Sequence, residues 1–596
     1  MIELRVVLID AYTDEPAGLG VPPYLGIYPR YAYGAVKAAT PESEVVYLTV
    51  DEIRLLGGRE ITLNVKRGLT PNTVRNVLKT AELIVWIGGL HTPGKYLSAV
   101  PGSLTEAMIL FTSDIVNPNA VKVIGGPTFM GSAAYGGMRV KNEDIKSIEE
   151  SVDYVVIGDL EAFLHDFVAY RLDDVKRTRS YGELNEYAVK GAEVVTQHPG
   201  YPNRVIIEIE TQRGCPKAMG IEGCSFCTEP VRYPVVENRP VEDVAAEVKA
   251  LYELGVRRFR IGRQSCIFSY MAEPNGRVPI PNPDAVVELF KQVRKAAPNL
   301  LTLHADNANP AVIANYPGEA EVIAKAMVKY GTPGNVVAFG LESADPRVAR
   351  VNNLNATAEE TAEAVRILNR IGAVRGYNGM PWLLPGINLL FGLPGETKRS
   401  YKLTFKFLKD LLDEGLMIRR INIRQVVVFP GTPLWKMKTR ISGHKRLFQH
   451  YKYKIRHEID LPMLKRVIPV GTIMRDVMAE VHRNGLTYGR QIGSYPILVG
   501  IPKMIELGKF YDVMVVDHGF RSITAIPLPI DVNRESPKIL RLIPGIGERK
   551  LTSVLRRRPF KSPQEFFDVV GDETARLLRG FMVIRGEEYG RRGSKP

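Results

Sequence analysis

The sequence predicts a multidomain α/β protein, and three observations carry that reading. Residues 1–170 hold five short runs rich in β-branched residues, most of them separated by helix-length intervals. Residues 204–429 hold six more, alternating with helical patterns. After residue 465 the texture changes to short strand-like runs between glycine turns, and from Ser536 it becomes helical again. At 596 residues the chain exceeds what one core organises and should divide into roughly three or four domains.

The first series is RVVLIDA (5–11), EVVYLTV (44–50), ELIVWIGG (82–89), AVKVIGG (120–126) and VDYVVIG (152–158). Such runs, bounded by Gly, Pro or polar residues, predict a flavodoxin-like parallel sheet with helices on both faces over residues 1–175. Ligands of such sheets bind beyond the carboxyl ends of the strands, here near Asp10, Gly88, Gly89, Gly125 and Gly126, although these glycines serve equally as tight turns. A linker is expected around residues 175–203.

The second series is RVIIEIE (204–210), RRFRIGR (257–263), LLTLHAD (300–306), NVVAFGL (335–341), GINLLFG (386–392) and INIRQVVVF (421–429), with helical patterns at 240–254, 283–296, 316–330, 357–371 and 397–415. Six βα repeats predict a partial (βα)6 barrel across residues 200–440, with its chemistry at the C-terminal strand ends. GTIMRDVMAEV, YGRQ, YPILVGI and FYDVMVVDHG then predict a small antiparallel β-barrel over 465–528, followed by a helical module over 534–596.

Apolar residues at 45% suffice for burial, and charged residues at 24% are ordinary for a soluble protein. No apolar run approaches the roughly 20 residues of a membrane helix. The start, MIELRVVLIDAYTDE, carries no signal-peptide pattern, so a cytoplasmic location is expected. The net charge is +14, and residues 534–596, with 15 Lys/Arg against 8 Asp/Glu, supply half of it. A basic terminal module suggests a polyanionic partner, although charge runs are commonly solvated surface.

Four cysteines in so long a chain are no disulfide scaffold. Cys215, Cys224 and Cys227 fall in a loop directly after a predicted strand, with spacing C-x8-C-x2-C, which points to a metal site or to catalysis. A structural zinc site needs a fourth ligand, which Cys266 or a distant histidine would supply. A [4Fe–4S] cubane held by three thiolates instead leaves one iron open, the arrangement that binds and cleaves S-adenosylmethionine. The position after the first strand of a βα series favours the second reading.

At these residues the chain resembles the radical S-adenosylmethionine superfamily over about residues 200–440. GLESADPRVARVNN (340–353) is similar to a fourth-strand segment common in its methylthiotransferase and Elongator-type branches, and FGLPGET (391–397) and FPGTPLW (429–435) to the fifth- and sixth-strand segments. The resemblance implies that the three cysteines hold a [4Fe–4S] cluster and that a 5′-deoxyadenosyl radical abstracts hydrogen from a substrate. Phe226 would lie against the adenine, or else fill the core of its loop. Two features depart from the family pattern. The first two cysteines are five residues further apart than the usual C-x3-C-x2-C, an insertion that costs little loop entropy. Where the family has a Gly-Gly-Glu-like segment, this chain has Gly262-Arg263-Gln264-Ser265, and Gln264 would accept a hydrogen bond more weakly than a carboxylate. His304, Asp306, Asn307, Glu342 and Ser343 are cofactor-binding candidates by their place at strand ends, or else structural partners at the barrel mouth. Glu342 and Cys266 are the catalytic candidates, Cys266 having a buried inert thiol as its alternative.

The first domain resembles the cobalamin-binding-like domain that precedes many such barrels, in GVPPYLGIYPRYAYGA (20–35) and DYVVIGDLEAF (153–163). Cobalamin stays open as a cofactor but without support, because IDAYTDEPAGLG lacks the Asp-x-His-x-x-Gly ligand motif and His91 does not fit it; a retained scaffold without that ligand is the favoured reading. Residues 465–528 resemble the RNA-binding TRAM β-barrel through GLTYGRQIGSYPILVGIP and DVMVVDHGFRSITAIP. IPGIGERKLTSVLRRRPFKSPQEF resembles a helix-hairpin-helix motif: Gly545 and Gly547 form the turn that offers backbone N–H groups to a phosphate, and Lys550, Arg556, Arg557, Arg558 and Lys561 add sequence-blind attraction. The same hairpin would otherwise pack only against its own protein. This order of domains resembles an archaeal group of radical enzymes with a C-terminal helix-hairpin-helix.

The leading expectation is therefore a radical enzyme that modifies nucleic acid, tRNA or another RNA with DNA as the alternative, fed by an electron donor such as ferredoxin or flavodoxin. A radical enzyme acting on a protein or small molecule and a nonenzymatic nucleic-acid-binding protein with a structural metal are the competing readings. Only one three-cysteine set is present, which argues against a methylthiotransferase with a second cysteine-bound cluster.

Overall fold

The computed structural model describes residues 4–12, 24–59, 61–89, 97–129, 134–135, 138–437, 444–584 and 587–589. The chain forms two compact units: Met1–Val374 with Trp382–Tyr453 and Gly493–Tyr495, and Arg375–Pro381 with Lys454–Ile492 and Pro496–Pro596. It is mixed α/β, as expected, but the expected domains gather in pairs.

In the first unit, strands Arg5–Asp10, Glu44–Thr49, Leu83–Ile87, Val121–Gly125 and Tyr154–Val155 form one sheet. Their spatial order is second, first, third, fourth, fifth, all parallel, which is the doubly wound order of flavodoxin-type sheets. Each strand is nearly continuous apolar sequence because helices cover both faces. Val7, Ile9, Ile84 and Trp86 pack with Phe111 from the helix Leu104–Phe111, whose start is fixed by a Ser103–Glu106 capping box.

The second strand series also lies in this unit. Ile206–Glu210, Arg258–Gly262 and Thr302–Ala305 pair in parallel, as do Asn335–Glu342, Leu383–Phe391 and Arg420–Gln425, and a parallel bridge from Ala308 to Phe339 links the two sets. Helices Val241–Glu253, Pro283–Ala296, Pro317–Tyr330, Ala358–Gly372 and Lys398–Asp413 alternate with the strands.

Two findings explain why no boundary separates residues 1–175 from the second series. Tyr24–Leu25 adds a short parallel strand beside Ile206–Ile207. The expected linker is largely helical: Tyr181–Lys190, started by a Ser180–Glu183 capping box, runs into the 3-10 turn Gly191–Gln197. The helix Ile27–Ala39 lies against these turns so closely that a Cβ at Gly34 would collide with the Tyr187 carbonyl, and one at Gly191 with the Arg30 carbonyl. From the same helix, fully buried Arg30 pairs with Glu247 of Val241–Glu253, and Arg239 pairs with the other oxygen of that carboxylate.

In the second unit, Ile473–Arg483, Leu486–Gln491, Leu498–Ile501, Phe510–His518 and Ser522–Pro527 form a closed barrel. It is not wholly antiparallel, because Leu498–Ile501 pairs in parallel with Ser522–Pro527. Five strands cannot alternate in direction around a closed ring, so one neighbouring pair must run the same way, and the fifth strand is the one sequence patterning left unread. Helices Pro537–Leu540, Glu548–Arg557, Pro563–Val570 and Asp572–Leu578 follow. Barrel residues Met514 and Ile526 share a core with Leu551, Phe560, Phe566 and Leu578, so barrel and terminal helices are one body. Ile530–Asp531 also pairs with Met582–Ile584, which in turn pairs with Glu587–Tyr589.

Candidate active site

The cysteine loop leaves the end of Ile206–Glu210 through a short ribbon in which Gln212–Arg213 pairs antiparallel with Glu237–Asn238. Gly214 turns the chain at φ +80°, where an added Cβ would meet the Val235 carbonyl at 2.7 Å. Its N–H donates to Glu229 at 3.0 Å. Beneath the ribbon lies a buried ion network. Arg213 binds Asp159 bidentately at 2.8 and 2.9 Å, and Arg179 binds Glu161 at 2.6 Å and Glu210 at 2.7 Å. Burial alone would push the Glu210 carboxyl up, but Arg179, Arg213 and Arg263 hold it down at about 2. Paired buried charges of this kind fix the strand end, since either partner left alone would bear its desolvation cost.

All three loop thiols are pushed above the usual cysteine range, Cys224 to about 11, with burial the main cause. The influence runs along the loop: Cys215 raises Cys224, and Cys224 and Cys215 both raise Cys227. Among the described residues no three His, Cys, Asp or Glu side chains form a close single-ion cage. The donor set nevertheless suits a cationic centre, because three thiols of one loop, one buried and two half-buried, ionise together only where positive charge offsets their desolvation and repulsion.

The loop is gripped by the segment after the fourth strand. Ser225 N–H donates to the Asn352 carbonyl at 2.9 Å and its hydroxyl to the Asn352 side chain at 2.7 Å, while Asn353 donates to the Glu222 and Gly223 carbonyls. Lys217 lies 3.4 Å from Cys224 Sγ, and Asn355 Oδ1 lies 3.4 Å from the same sulfur. Sequence reading did not find Lys217, Asn352 or Asn355 as site residues. The available signal was the asparagine-rich VNNLN run closing the fourth-strand segment.

The other candidates take varied places. Phe226 packs with Val348, Leu354, Leu390 and Val426. A Cβ at Gly262 would collide with the Glu208 carboxylate, so a larger residue there would have to displace that side chain. Gln264 is buried and its amide is committed: it donates to the Asp306 carbonyl at 2.8 Å and the Ile261 carbonyl at 3.2 Å, and accepts from the Thr211 hydroxyl at 3.3 Å. Asp306 pairs with Arg260, which also lies 3.5 Å from Glu208. Asn307, at φ +53°, donates to the Gln264 carbonyl. His304 Nδ1 accepts from Ser494 N–H at 3.2 Å, and burial pushes its pKa down to about 4. Glu342 sits at φ +61° beside a register break in the fourth strand, and burial raises its carboxyl to about 8 against the pull of Arg424. The Ser343 hydroxyl accepts from Asp345 N–H. Cys266 is buried and accepts from Asn309 N–H at 3.1 Å, with its thiol raised by burial.

In the first sheet the Asp10 carboxylate accepts from Tyr12 N–H and from the Tyr47 hydroxyl, both at 2.8 Å. Gly126, at φ +96°, packs so closely that a Cβ would meet the Gly88 carbonyl at 2.7 Å. His91 lies outside the described residues. In the terminal helices, Gly545 turns at φ +87° and Gly547 starts the helix Glu548–Arg557. Arg556 and Arg557 are exposed, and Lys561 is too. Lys550 donates to the Val570 carbonyl, and half-buried Arg558 feels Asp531 and Glu535.

A family model for the radical SAM superfamily matches residues 209–408. The uncharacterized protein MJ0274 of Methanocaldococcus jannaschii is 49% identical over 530 residues, which are 87% of this chain and 92% of that protein. The chain belongs to that archaeal family, and it is a radical SAM enzyme. The radical SAM assignment implies a [4Fe–4S] cluster and S-adenosylmethionine as cofactors. The tRNA-2-methylthio-N(6)-dimethylallyladenosine synthase of Haemophilus ducreyi is 24% identical over 321 residues, covering 52% of this chain and 59% of that one. Among solved structures, the radical S-adenosylmethionine methyltransferase TsrM from Kitasatospora setae aligns at a TM-score of 0.45 and 16% identity, over 72% of this chain and 74% of that one. Among the described residues of this radical SAM protein, no helix is long and apolar enough to cross a membrane.

Proposed function

We propose that this radical SAM enzyme reductively cleaves S-adenosylmethionine at a cluster on Cys215, Cys224 and Cys227 and modifies a structured RNA, with tRNA the first substrate to test. The observation that carries the reading is the loop of three thiols, with Cys215 and Cys224 both acting on Cys227, at the end of the first strand of a six-strand parallel βα series, read as a partial barrel. When bound, the cluster and cofactor supply a carbon radical able to abstract hydrogen.

The chain's own residues do the rest. Cys215, Cys224 and Cys227 would bind iron, and the Ser225–Asn352 pair keeps their loop against the fourth-strand segment. The Glu210–Arg179–Arg213 network fixes the strand end below them. Glu342, raised to about 8, keeps a proton on its carboxyl at neutral pH, so it offers a hydrogen-bond donor there. Glu208 and Asp306 neutralise Arg260.

The RNA half of the proposal rests on the second unit and on the tRNA substrate named for the Haemophilus relative. We read the closed barrel as TRAM-like and the Gly545–Gly547 turn with Arg556 and Arg557 as a helix-hairpin-helix that holds phosphates. A low-potential donor such as ferredoxin or flavodoxin would supply the electron in the cytoplasm. Anaerobic reconstitution with iron and sulfide, followed by assay for 5′-deoxyadenosine, tests the chemistry. Comparing modified nucleosides in RNA from cells with and without the gene tests the substrate: one missing modification is expected, and an unchanged profile would move the substrate to a protein or small molecule.

A further inference from the structure

We propose that Lys217 is a charge-compensating residue for the metal centre, its buried ammonium lying against the Cys224 ligand and making the centre easier to reduce. This rests on the reading of the three thiols as cluster ligands.

Lys217 belongs to the stretch by which the spacing of Cys215 and Cys224 exceeds the usual one. Extra loop residues are normally solvated, yet Lys217 is only 2% exposed. Its hydrogen-bond partners among the described residues are the Asn353 carbonyl and Cys224 Sγ, the latter at 3.4 Å. A carbonyl dipole helps orient an ammonium but does not cancel its charge, and an uncompensated buried cation costs several kcal/mol. The Cys224 sulfur, once it is a thiolate, is the counter-charge within reach.

The placement is built rather than incidental. The turn Pro216–Ala218, closed by Ala218 N–H on the Cys215 carbonyl at 2.8 Å, carries the lysine inward. Asn353, held at φ +47°, receives its ammonium on the backbone oxygen while its side chain ties down the far end of the same stretch at Glu222 and Gly223. One residue thus fixes both the cation and the loop that delivers it. A cluster held by three thiolates gains further negative charge when an electron arrives. A fixed positive charge at one of its sulfurs therefore stabilises the reduced form more than the oxidised form, net charge and hydrogen bonds to sulfur being what set such potentials.

The test compares full-length wild type with Lys217→Met, Lys217→Gln and Lys217→Arg, each reconstituted anaerobically. Iron and sulfide content, thermal unfolding and the midpoint potential from EPR-monitored reductive titration with dithionite are measured. The Met and Gln variants are expected to lower the equilibrium constant for one-electron reduction at least tenfold, a shift of about 59 mV to more negative potential, and Arg to restore most of it. Met and Gln variants that load iron fully with the wild-type potential would overturn the proposal. If Met and Gln fold but do not load while Arg does, the need for charge stands. If Arg folds and also fails to load, the requirement is one of shape and the proposal falls. Wild type that takes up no iron would instead refute the underlying cluster assignment, whatever the variants do.

Discussion

Ser225 and Asn352 are joined twice, backbone to backbone at 2.9 Å and side chain to side chain at 2.7 Å, across 127 residues of sequence. The double link ties the cysteine loop to the segment that follows the fourth strand. Asn352 is fully buried and also donates to the Val348 and Pro394 carbonyls, both at 2.9 Å. Asn352→Ala would leave these groups unsatisfied and should cost about 1–3 kcal/mol. Iron retention is expected to fall with it, read by thermal unfolding and iron content after reconstitution.

Each of Cys215→Ser, Cys224→Ser and Cys227→Ser is expected to lose most bound iron and all reductive cofactor cleavage. Cys266→Ser should keep both, because that thiol already accepts from Asn309 N–H and a serine hydroxyl can accept there too. Iron analysis and 5′-deoxyadenosine assay decide the matter, and full activity in any of the three loop variants would sink the ligand assignment.

Arg30 sets a stability test remote from the chemistry. It is fully buried, pairs with Glu247 and donates to the Glu208 carbonyl. Arg30→Met leaves Glu247 with Arg239 alone and should destabilise the protein by about 3–5 kcal/mol, as breaking one side of a buried pair does. Denaturant unfolding measures it, and a change within error would mean that the network adds nothing net.

His304 and His198 make acid sensitivity predictable. Burial lowers His304 to about 4 and His198 to about 3, the latter with help from Lys66 and Arg204. Between those values and the free pKa near 6.5 the unfolded chain binds more protons, so stability rises with pH there. Their contribution is complete above pH about 6.5 and drains away as the pH falls towards 4. The thermal midpoint should decline over this window, and His304→Gln should flatten the decline. An identical pH profile for the variant would refute the assignment to His304.

For RNA binding, deletion of residues 534–596 is a poor test, because Phe566 and Leu578 share the barrel's core with Met514 and Ile526. Arg556→Ala with Arg557→Ala keeps that core. The pair should weaken RNA binding evenly across sequences and reduce the salt slope by about two. Affinities matching wild type at every salt concentration would remove the terminal hairpin from the interface.

What the sequence determined by itself was the order of elements and the loop that carries three closely spaced cysteines. Strand and helix runs were legible because apolar periodicity is local, as in the helix Pro283–Ala296 and the strand Asn335–Glu342. The cysteines were legible because their spacing is local too. Where the neighbours of a residue come from distant sequence, only the tertiary structure decided. It joined the first domain to the second series through Tyr24–Leu25 and through the Gly34–Tyr187 contact, and made the expected linker a capped helix. It fused the small barrel with the terminal helices and required one parallel pair to close five strands. It also spent the Gln264 amide on Thr211, Ile261 and Asp306, and carried Lys217 to Cys224. A buried polar group must find its partner wherever the fold brings one, and no one-dimensional pattern records that meeting.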